Sequence, residues 1–592
     1  MTTLEFTQVV PAGRIETERT FTTFDNTELF YRAWLPTRPT HKALILVHRG
    51  HEHSGRWEQF VELLGLSDLA VFAYDARGHG RSPGERGYAD SFGHHVRDLE
   101  HFVRHVSTHY DVPTENIVAL GHSVGAVTLA TWVHDYAPQI RGMILATPAF
   151  RVKLYVPFAR AGLAALQSVK SPSFIKSYVK PSMLTHDPEQ ARIYREDPLI
   201  SRQIAVNILL DLYNTSSRLI ADAGAVRTPA LLLAAGSDWV VNNSAIRAFH
   251  DRLGSRDKSI HVLDGFAHAV FHEKDCELPT SLARDFIRRV FRSPPPGQSL
   301  IHADQDGYTK REFDRLHQPR PASCPKRCSF AAQGLMMKTA GTLSEGIRIG
   351  WKHGFDSGQS LDHVYRNQPR GITPLGRLID RMYLNSIGWR GIRVRKTHLQ
   401  QMLRHAIIER LRSDDRQPVR IVDIASGPGR YLLETLCEFP QNRITALLRD
   451  RDEDGLGRAR GVAMKMRVPN VRFESGDAFD YDSLASITPA PNIAIVSGLY
   501  ELFGNNRMVL NSLRGLSKAM SGGGYLIYTN QPWHPQIEMI ARVLTNRDGQ
   551  PWIMRRRTQE EMDDLVRAAG FEKVDMLIDP WGIFTVSLAR KA

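Results

Sequence analysis

The residue with the clearest chemical potential is Ser123, in the pentapeptide GHSVG at 121–125. A serine hydroxyl attacks a carbonyl only when a base takes its proton, and the base works best when a third group orients it. NIVAL ahead of the pentapeptide predicts a strand and AVTLATWVHDY behind it a helix, so Ser123 falls on a sharp strand-to-helix turn. An acid and a histidine follow in the order such a turn requires. Asp238 stands in GSDWVV after PALLLAA, and His268 in DGFAHAVFHE after SIHVLD. His272 competes for the role of base; His268 is preferred because it directly follows the turn, whereas His272 falls on the expected next helix. Charge developing on a carbonyl oxygen needs two backbone N–H donors. Val124, next to the serine, and Gly50, in the loop HRGHEHSGRW at 48–57, are the candidates. The histidines of that loop match no common zinc spacing, so no metal is expected.

A second constellation lies in the rear half. VDIASGPGR (422–430) runs from a predicted strand into a helix, and Gly427 and Gly429 let a ligand approach the backbone. Neither a P-loop lysine nor a full G-x-G-x-x-G is present. Instead Asp423 precedes the loop, Asp450 ends the next strand, and Asp477, followed by Ala478, ends the third. Acids at successive strand ends suit a ligand with an amino group, a ribose diol and an adenine amine, and they repel a pyrophosphate. Ser497 and Gly498 end a fourth strand, with Tyr500, Glu501 and His534 beyond as candidate bases.

Both sets need a sheet to hold them. In the front half ALILVH (43–48), LAVFAYD (69–75), NIVALG (116–121), GMILA (142–146), PALLLAA (229–235) and SIHVLD (259–264) predict buried parallel strands with helices between. In the rear half VRIVDIA (419–425), RITALLR (443–449), NVRFESGD (470–477), PNIAIVS (491–497) and GGYLIYT (523–529) do the same. The fold class is α/β, twice in one chain. Residues 151–228 interrupt the first strand series and are expected to cap its site. SPPPGQS at 293–299 stops helix and sheet alike. The expected domains are 1–292, a linker at 293–345, and 346–592, the last opening with an Arg- and aromatic-rich helical lid.

The 592 residues, 42% apolar and 23% charged, are ordinary for globular protein, which excludes wholesale disorder and a fibrous repeat. No apolar run approaches the roughly 18 residues of a membrane span, and no secretory signal is visible at the start. Four cysteines do not make a disulfide framework and suit a reducing, cytoplasmic setting. Of the net charge of +13, residues 1–292 carry +2 and residues 293–592 carry +11. A basic rear half attracts anionic lipid, nucleic acid or an anionic substrate. From 151 to 186 six basic residues and no acidic one alternate with apolar ones, a pattern that fits contact with an anionic membrane, at its inner face for a cytoplasmic protein, or an ordinary solvated cap helix. Arg381, Arg390, Arg393, Arg395 and Lys396 are candidate phosphate ligands, joined by Arg555, Arg556 and Arg557.

HRGHEHSGRW, YDARGHGRS, GHSVG, GSDWVV and FAHAVFHE, in this order, resemble the monoacylglycerol lipase and lysophospholipase branch of the α/β-hydrolases, over roughly 15–292. That branch usually has His-Gly where this chain has His48-Arg49. The resemblance implies a serine esterase with Ser123, Asp238 and His268 as its triad, acting on a lysophospholipid or monoacylglycerol. The rear half, over roughly 400–592, resembles the class I S-adenosylmethionine-dependent methyltransferases, with Ala425 where the first motif glycine usually stands. Carried over, Asp423 and Gly427 to Gly429 line the methionine side, Asp450 binds the ribose hydroxyls, Asp477 with Ala478 contacts adenine, and Ser497 lies beside the site. The leading expectation is a bifunctional lipid enzyme. The alternatives are a hydrolase fused to a catalytically silent adenosylmethionine-binding or lipid-docking module, or an RNA methyltransferase, ranked lower. Oligomeric state, ester and acceptor are left open.

Overall fold

In the computed structural model, residues 7–10, 14–294, 297, 299–412 and 418–592 are described. The start of the chain and part of the proline run (295, 296 and 298) lie outside them. The chain forms two compact units, Met1–Gln298 and Ser299–Ala592.

The first unit is built on nine strands: β1 (Thr7–Val10), β2 (Arg14–Thr22), β3 (Glu28–Pro36), β4 (Ala43–Val47), β5 (Ala70–Tyr74), β6 (Ile117–His122), β7 (Gly142–Ala146), β8 (Ala230–Ala235) and β9 (Lys258–Leu263). They pair in the order β1-β2-β3-β5-β4-β6-β7-β8-β9. From β5 to β9 the neighbours are parallel. Every residue of β4 to β8 is buried, as expected when helices cover both faces. The antiparallel strands β1 to β3 are not among the strands expected from apolar runs. β2, RIETERTFT, has a half-exposed pattern that no such run marks. The nucleophile turn joins β6 to α1 (Val124–Tyr136), twelve of whose thirteen residues are buried. Over it the cap places α2 (Ala159–Val169), α3 (Pro188–Glu196) and a short antiparallel ribbon, Phe174–Lys176 with Gln203–Ala205.

The second unit has seven strands: β10 (Val419–Ile424), β11 (Ile444–Asp450), β12 (Val471–Ser475), β13 (Ile493–Val496), β14 (Tyr525–Asn530), β15 (Phe571–Ile578) and β16 (Thr585–Lys591). Their order is β12-β11-β10-β13-β14-β16-β15. β10 to β14 are parallel and the last two strands run antiparallel. The order reverses at β10, between β11 and β13, and crevices at such switch points are where open α/β sheets bind ligands. Apolar clusters cover the two faces of the sheet. Ahead of the sheet lie α4 (Gly358–Arg366), α5 (Pro374–Leu384) and the long α6 (Ile387–Arg412).

The segment expected as a linker is helical for much of its length, at Ala303–Asp306, Tyr308–His317 and Pro325–Lys338. It is tied into the second unit. The Leu300 amide donates to Asp564 (2.8 Å), Asn506 donates to the Ile301 carbonyl (3.0 Å), and Arg320 makes a two-pronged pair with Glu538 (2.5 and 2.8 Å). Its polar composition disguises it, because short helices held by side-chain hydrogen bonds bury little apolar surface.

Candidate functional sites

In the first unit the turn at Ser123 is sterically exacting. Ser123 sits at φ 55°, ψ −112°, a strained conformation for a residue with a side chain. The two glycines of GHSVG are there because nothing larger fits. A Cβ at Gly121 would lie 2.5 Å from the Gly125 carbonyl oxygen, and one at Gly125 would lie 2.4 Å from that of His48.

The turn presents Ser123 Oγ 2.8 Å from His268 Nε2, and His268 Nδ1 lies 2.8 Å from Asp238 Oδ2. Asp238 follows β8 and His268 follows β9, so three parallel strands deliver all three groups at their carboxyl ends. The other carboxylate oxygen of Asp238 accepts the amides of Val240 (2.7 Å) and Val241 (2.9 Å). Burial disfavours the charge on Asp238. Attraction to His268, their hydrogen bond and the two amides outweigh it, and the carboxyl is held below its ordinary range. Asp238 therefore accepts the Nδ1–H, which leaves Nε2 free to accept the serine proton. The His268 backbone is also fixed, its carbonyl accepting from Thr147 Oγ1 (3.0 Å) and contacting His122 Nε2 (3.1 Å). Thr147 is announced by no motif, and His122 fills a variable position of GHSVG.

His272 is not in reach of the serine. It lies on a short 3-10 turn, Val270–His272, with Nε2 against the Arg56 carbonyl (2.9 Å), and burial pushes its pKa down to about 4. Val124 opens α1, whose N-terminus favours negative charge. Gly50 packs against it, since a Cβ there would meet Val124 Cγ2 at 3.2 Å. Arg49, at the position usually held by glycine, is buried and turned away. Its guanidinium pairs with Glu52 (2.6 Å) within the loop and lies over the Tyr194 ring, and that ring contact joins the loop to cap helix α3.

In the second unit the loop after β10 winds through left-handed backbone at Ala425, Gly427 and Gly429. Asp450, at the end of β11, closes it. One of its oxygens accepts the Gly427 amide (2.8 Å) and the other the Asp452 amide (2.9 Å). A cavity of about 300 Å3 opens above, and its walls include Gly427, Gly429, Asp450, Asp477, Ala478 and Ser497. Lid and loop residues outside every motif complete it, among them Tyr365, Arg395, Phe479 and Phe503. This donor set fits an adenosine-bearing ligand. Asp450 keeps acceptor lone pairs for a diol, Ala478 and Phe479 offer an apolar wall, and a Cβ on Gly427 would meet nothing within 4 Å, leaving open backbone.

Asp423 is not part of that wall. It is fully buried beneath the loop, and the Tyr431 hydroxyl lies within 2.8 Å of both its oxygens. Burial, aided by the charge of Asp450 and only partly countered by Tyr431, pushes its pKa up to about 8. It braces the loop and offers no fixed charge to a ligand's amino group.

The expected arginine surface is not there. Arg555 is buried on Glu561 (2.7 Å), Arg556 donates to the Pro532 carbonyl (2.7 Å) and Arg557 to that of Tyr500 (2.6 Å). Arg393 caps the Leu384 carbonyl (2.8 Å), Lys396 pairs with Glu434 (2.5 Å) and Arg390 stacks on Trp581. Arg381 and Arg390 of that group are exposed, and Arg395 faces a cavity. Long cationic side chains at one-turn spacing look like a phosphate cradle in sequence, but most of their heads are taken up by backbone carbonyls, carboxylates or an indole ring. The Tyr500 hydroxyl is spent on Ser512 (3.0 Å). The four cysteines are free, and among the described residues no cluster has the makings of a metal site. Among those residues no helix is long and apolar enough to cross a membrane.

Comparison with known proteins agrees with this division. A family model described as "Putative methyltransferase" matches residues 283–591, and one described as "Serine aminopeptidase, S33" matches residues 38–275. The Escherichia coli (strain K12) protein YnbC, described as uncharacterized, is 49% identical over 98% of this chain and 99% of its own. Human monoglyceride lipase is 32% identical over 44% of this chain and 85% of its own. Among solved structures, a monoacylglycerol lipase from Paleococcus ferrophilus is 25% identical over 45% of this chain and all of its own, with a TM-score of 0.41. The chain belongs to the methyltransferase family of the first model, and its first unit is an α/β-hydrolase of the monoglyceride lipase kind.

Proposed function

We propose, with that membership as premise, that the chain joins two enzymes: a serine hydrolase for esters of monoacyl lipids, either monoacylglycerol or lysophospholipid, and an S-adenosylmethionine-dependent methyltransferase. We place the division at the proline run near residue 298, with the cap at about 151–228 belonging to the hydrolase. The observation that carries the hydrolase is the unbroken relay Ser123–His268–Asp238 at 2.8 Å in both links.

In this reading Ser123 Oγ attacks the ester carbonyl carbon while His268 Nε2 takes its proton. The amides of Val124 and Gly50 receive the charge on the carbonyl oxygen, and Asp238 stabilises the imidazolium. His268 then returns the proton to the departing alcohol. A water molecule repeats the sequence on the acyl-serine and frees the fatty acid. A lipid ester is supported by the relative's name and by the cap, where α2 has no buried residue and Phe158 beside it is 91% exposed. Such a face suits docking on a lipid surface, at the inner face of the membrane.

In the second unit Asp450 would bind the ribose hydroxyls, Asp477 and Ala478 the adenine, and the Gly427–Gly429 loop the methionine portion. When bound, the cofactor supplies a methyl group on a positively charged sulfur. Most of the cationic side chains that prompted an RNA acceptor are taken up by partners within the unit, which favours a small acceptor.

The test is mass spectrometry of a mixed lipid extract treated with wild type or Ser123→Ala. Monoacylglycerols or lysolipids should disappear with wild type alone. Equal loss with the variant, or no lipid change with either, refutes the hydrolase reading.

A further inference from the structure

A second cavity, of about 460 Å3, lies beside the glycine-loop cavity within the second unit. Asp356, Leu361, Arg395, Gly498, Leu502 and Trp552 belong to the walls of both. The rest of the larger cavity is built mainly of apolar side chains such as Ile347, Ile392, Met539 and Phe584. Met336 and Met382, also on its wall, are 60% and 68% exposed, so its entrance is apolar too. Its volume suits a ligand of lipid or drug size.

Of the polar groups of this cavity, Arg395 and Asp356 lie on the shared wall, and Glu501 of the larger cavity pairs with Arg395. Arg395 Nη1 lies 3.3 Å from Glu501 Oε1, and the guanidinium rests against Gly498, where a Cβ would come within 2.9 Å of Nη2. Both side chains are buried, 3% and 7% exposed, yet their pairing is incomplete. Arg395 Nε and Glu501 Oε2 are buried with no hydrogen-bond partner. Leaving such atoms unsatisfied is unfavourable, and a ligand that pairs them relieves that cost. His534, which also lines the larger cavity, is held neutral by burial, and its Nδ1 accepts the Gln536 amide (3.0 Å).

We propose that this cavity holds the methyl acceptor, and that the acceptor is an uncharged molecule with one hydroxyl group on a long apolar body, the hydroxyl seated between Glu501 and Arg395. The assignment rests on the methyltransferase reading of the neighbouring cavity. A hydroxyl has one hydrogen to donate and lone pairs to accept with. It therefore satisfies the free Glu501 oxygen and the free Arg395 N–H together. A carboxylate head would face the charge of Glu501, and an ammonium head that of Arg395. In the transfer the hydroxyl oxygen forms a bond to the methyl carbon as the sulfur–methyl bond breaks, its electron pair remaining on sulfur. The hydroxyl proton passes to Glu501 Oε2, and a methyl ether and S-adenosylhomocysteine result.

The experiment is calorimetric binding to the full chain of three probes that share a tail: 4-octylphenol, 4-octylbenzoate and 4-octylbenzylamine. Each is titrated into wild type, Met539→Trp and Glu501→Gln, with S-adenosylmethionine titrated separately into all three. The phenol is expected to bind at least tenfold more tightly than either charged probe. Met539→Trp, which fills the cavity, should weaken it at least tenfold while cofactor binding persists, and Glu501→Gln should abolish the preference over the benzoate. Equal binding of the three probes, or phenol binding undiminished by Met539→Trp, overturns the acceptor assignment while leaving the cofactor site intact. Absence of S-adenosylmethionine binding to wild type instead overturns the reading beneath it.

Discussion

Replacing Asp238 by asparagine should remove hydrolysis by a route the structure specifies in detail. One carboxylate oxygen of Asp238 accepts two backbone amides, from Val240 and Val241, and the other accepts the imidazole Nδ1–H. An asparagine must place its carbonyl oxygen toward the two amides, because turning its NH2 there would set donors against donors. Its NH2 then points at His268 Nδ1, which can only accept. The imidazole proton moves to Nε2, and the atom that should take the Ser123 proton already carries one. Shape is nearly conserved, so stability should change little. A wrong tautomer in an otherwise intact serine triad costs about 10⁴ in kcat, or roughly 5 kcal/mol of barrier at about 1.4 kcal/mol per decade. The assay is hydrolysis of p-nitrophenyl butyrate at neutral pH, with circular dichroism confirming the fold. Activity within tenfold of wild type would mean that Asp238 does not set the tautomer, and the relay would have to be abandoned.

Other perturbations separate the two units. Gly125→Ala pushes a Cβ to 2.4 Å from the His48 carbonyl oxygen, so it should cost at least about 1–3 kcal/mol and abolish hydrolysis, read by thermal unfolding and the ester assay. Arg49→Ala leaves buried Glu52 with only its longer contact to Arg56 (3.4 Å); a broken buried pair costs up to about 3–5 kcal/mol, visible as a lower denaturant midpoint, and an unchanged midpoint would refute the bracing role. Asp450→Asn replaces one acceptor oxygen by an NH2, so it loses either the Gly427 amide of the glycine loop or the Asp452 amide that fixes the side chain. Hydrogen bonds to a charged group contribute about 1.5–3 kcal/mol, so S-adenosylmethionine affinity should fall about 10- to 100-fold by calorimetry with hydrolysis untouched. Asp423 has a folded pKa of about 8, above its unfolded value of about 3.9. The unfolded chain therefore releases this proton first, and stability falls as pH rises from about 4 to about 8. Asp423→Asn should flatten that slope in denaturant titrations of the second unit, and an unchanged slope would refute the assignment.

The chain of Ser123, Asp238 and His268 was legible in sequence because each lies directly after an apolar strand, and parallel strands bring their carboxyl ends together by construction. The same logic made Asp450 and the Gly427–Gly429 loop legible. What the sequence by itself determined is thus the local, periodic part: two series of parallel strands, a turn that only glycines permit, and acids at strand ends. Tertiary structure decided everything that depends on which side chain reaches which partner. It sent Asp423 beneath its loop onto Tyr431, spent Arg555, Arg556 and Arg557 on interior partners, and drew the residues after 299 into the second unit. It also assembled the apolar cavity, whose walls come from helices and loops more than two hundred residues apart. Apolar strand runs and the helices between them recur every few residues, so they are written locally. A pocket wall or a buried ion pair is a coincidence of distant side chains in three dimensions, and only packing reveals it.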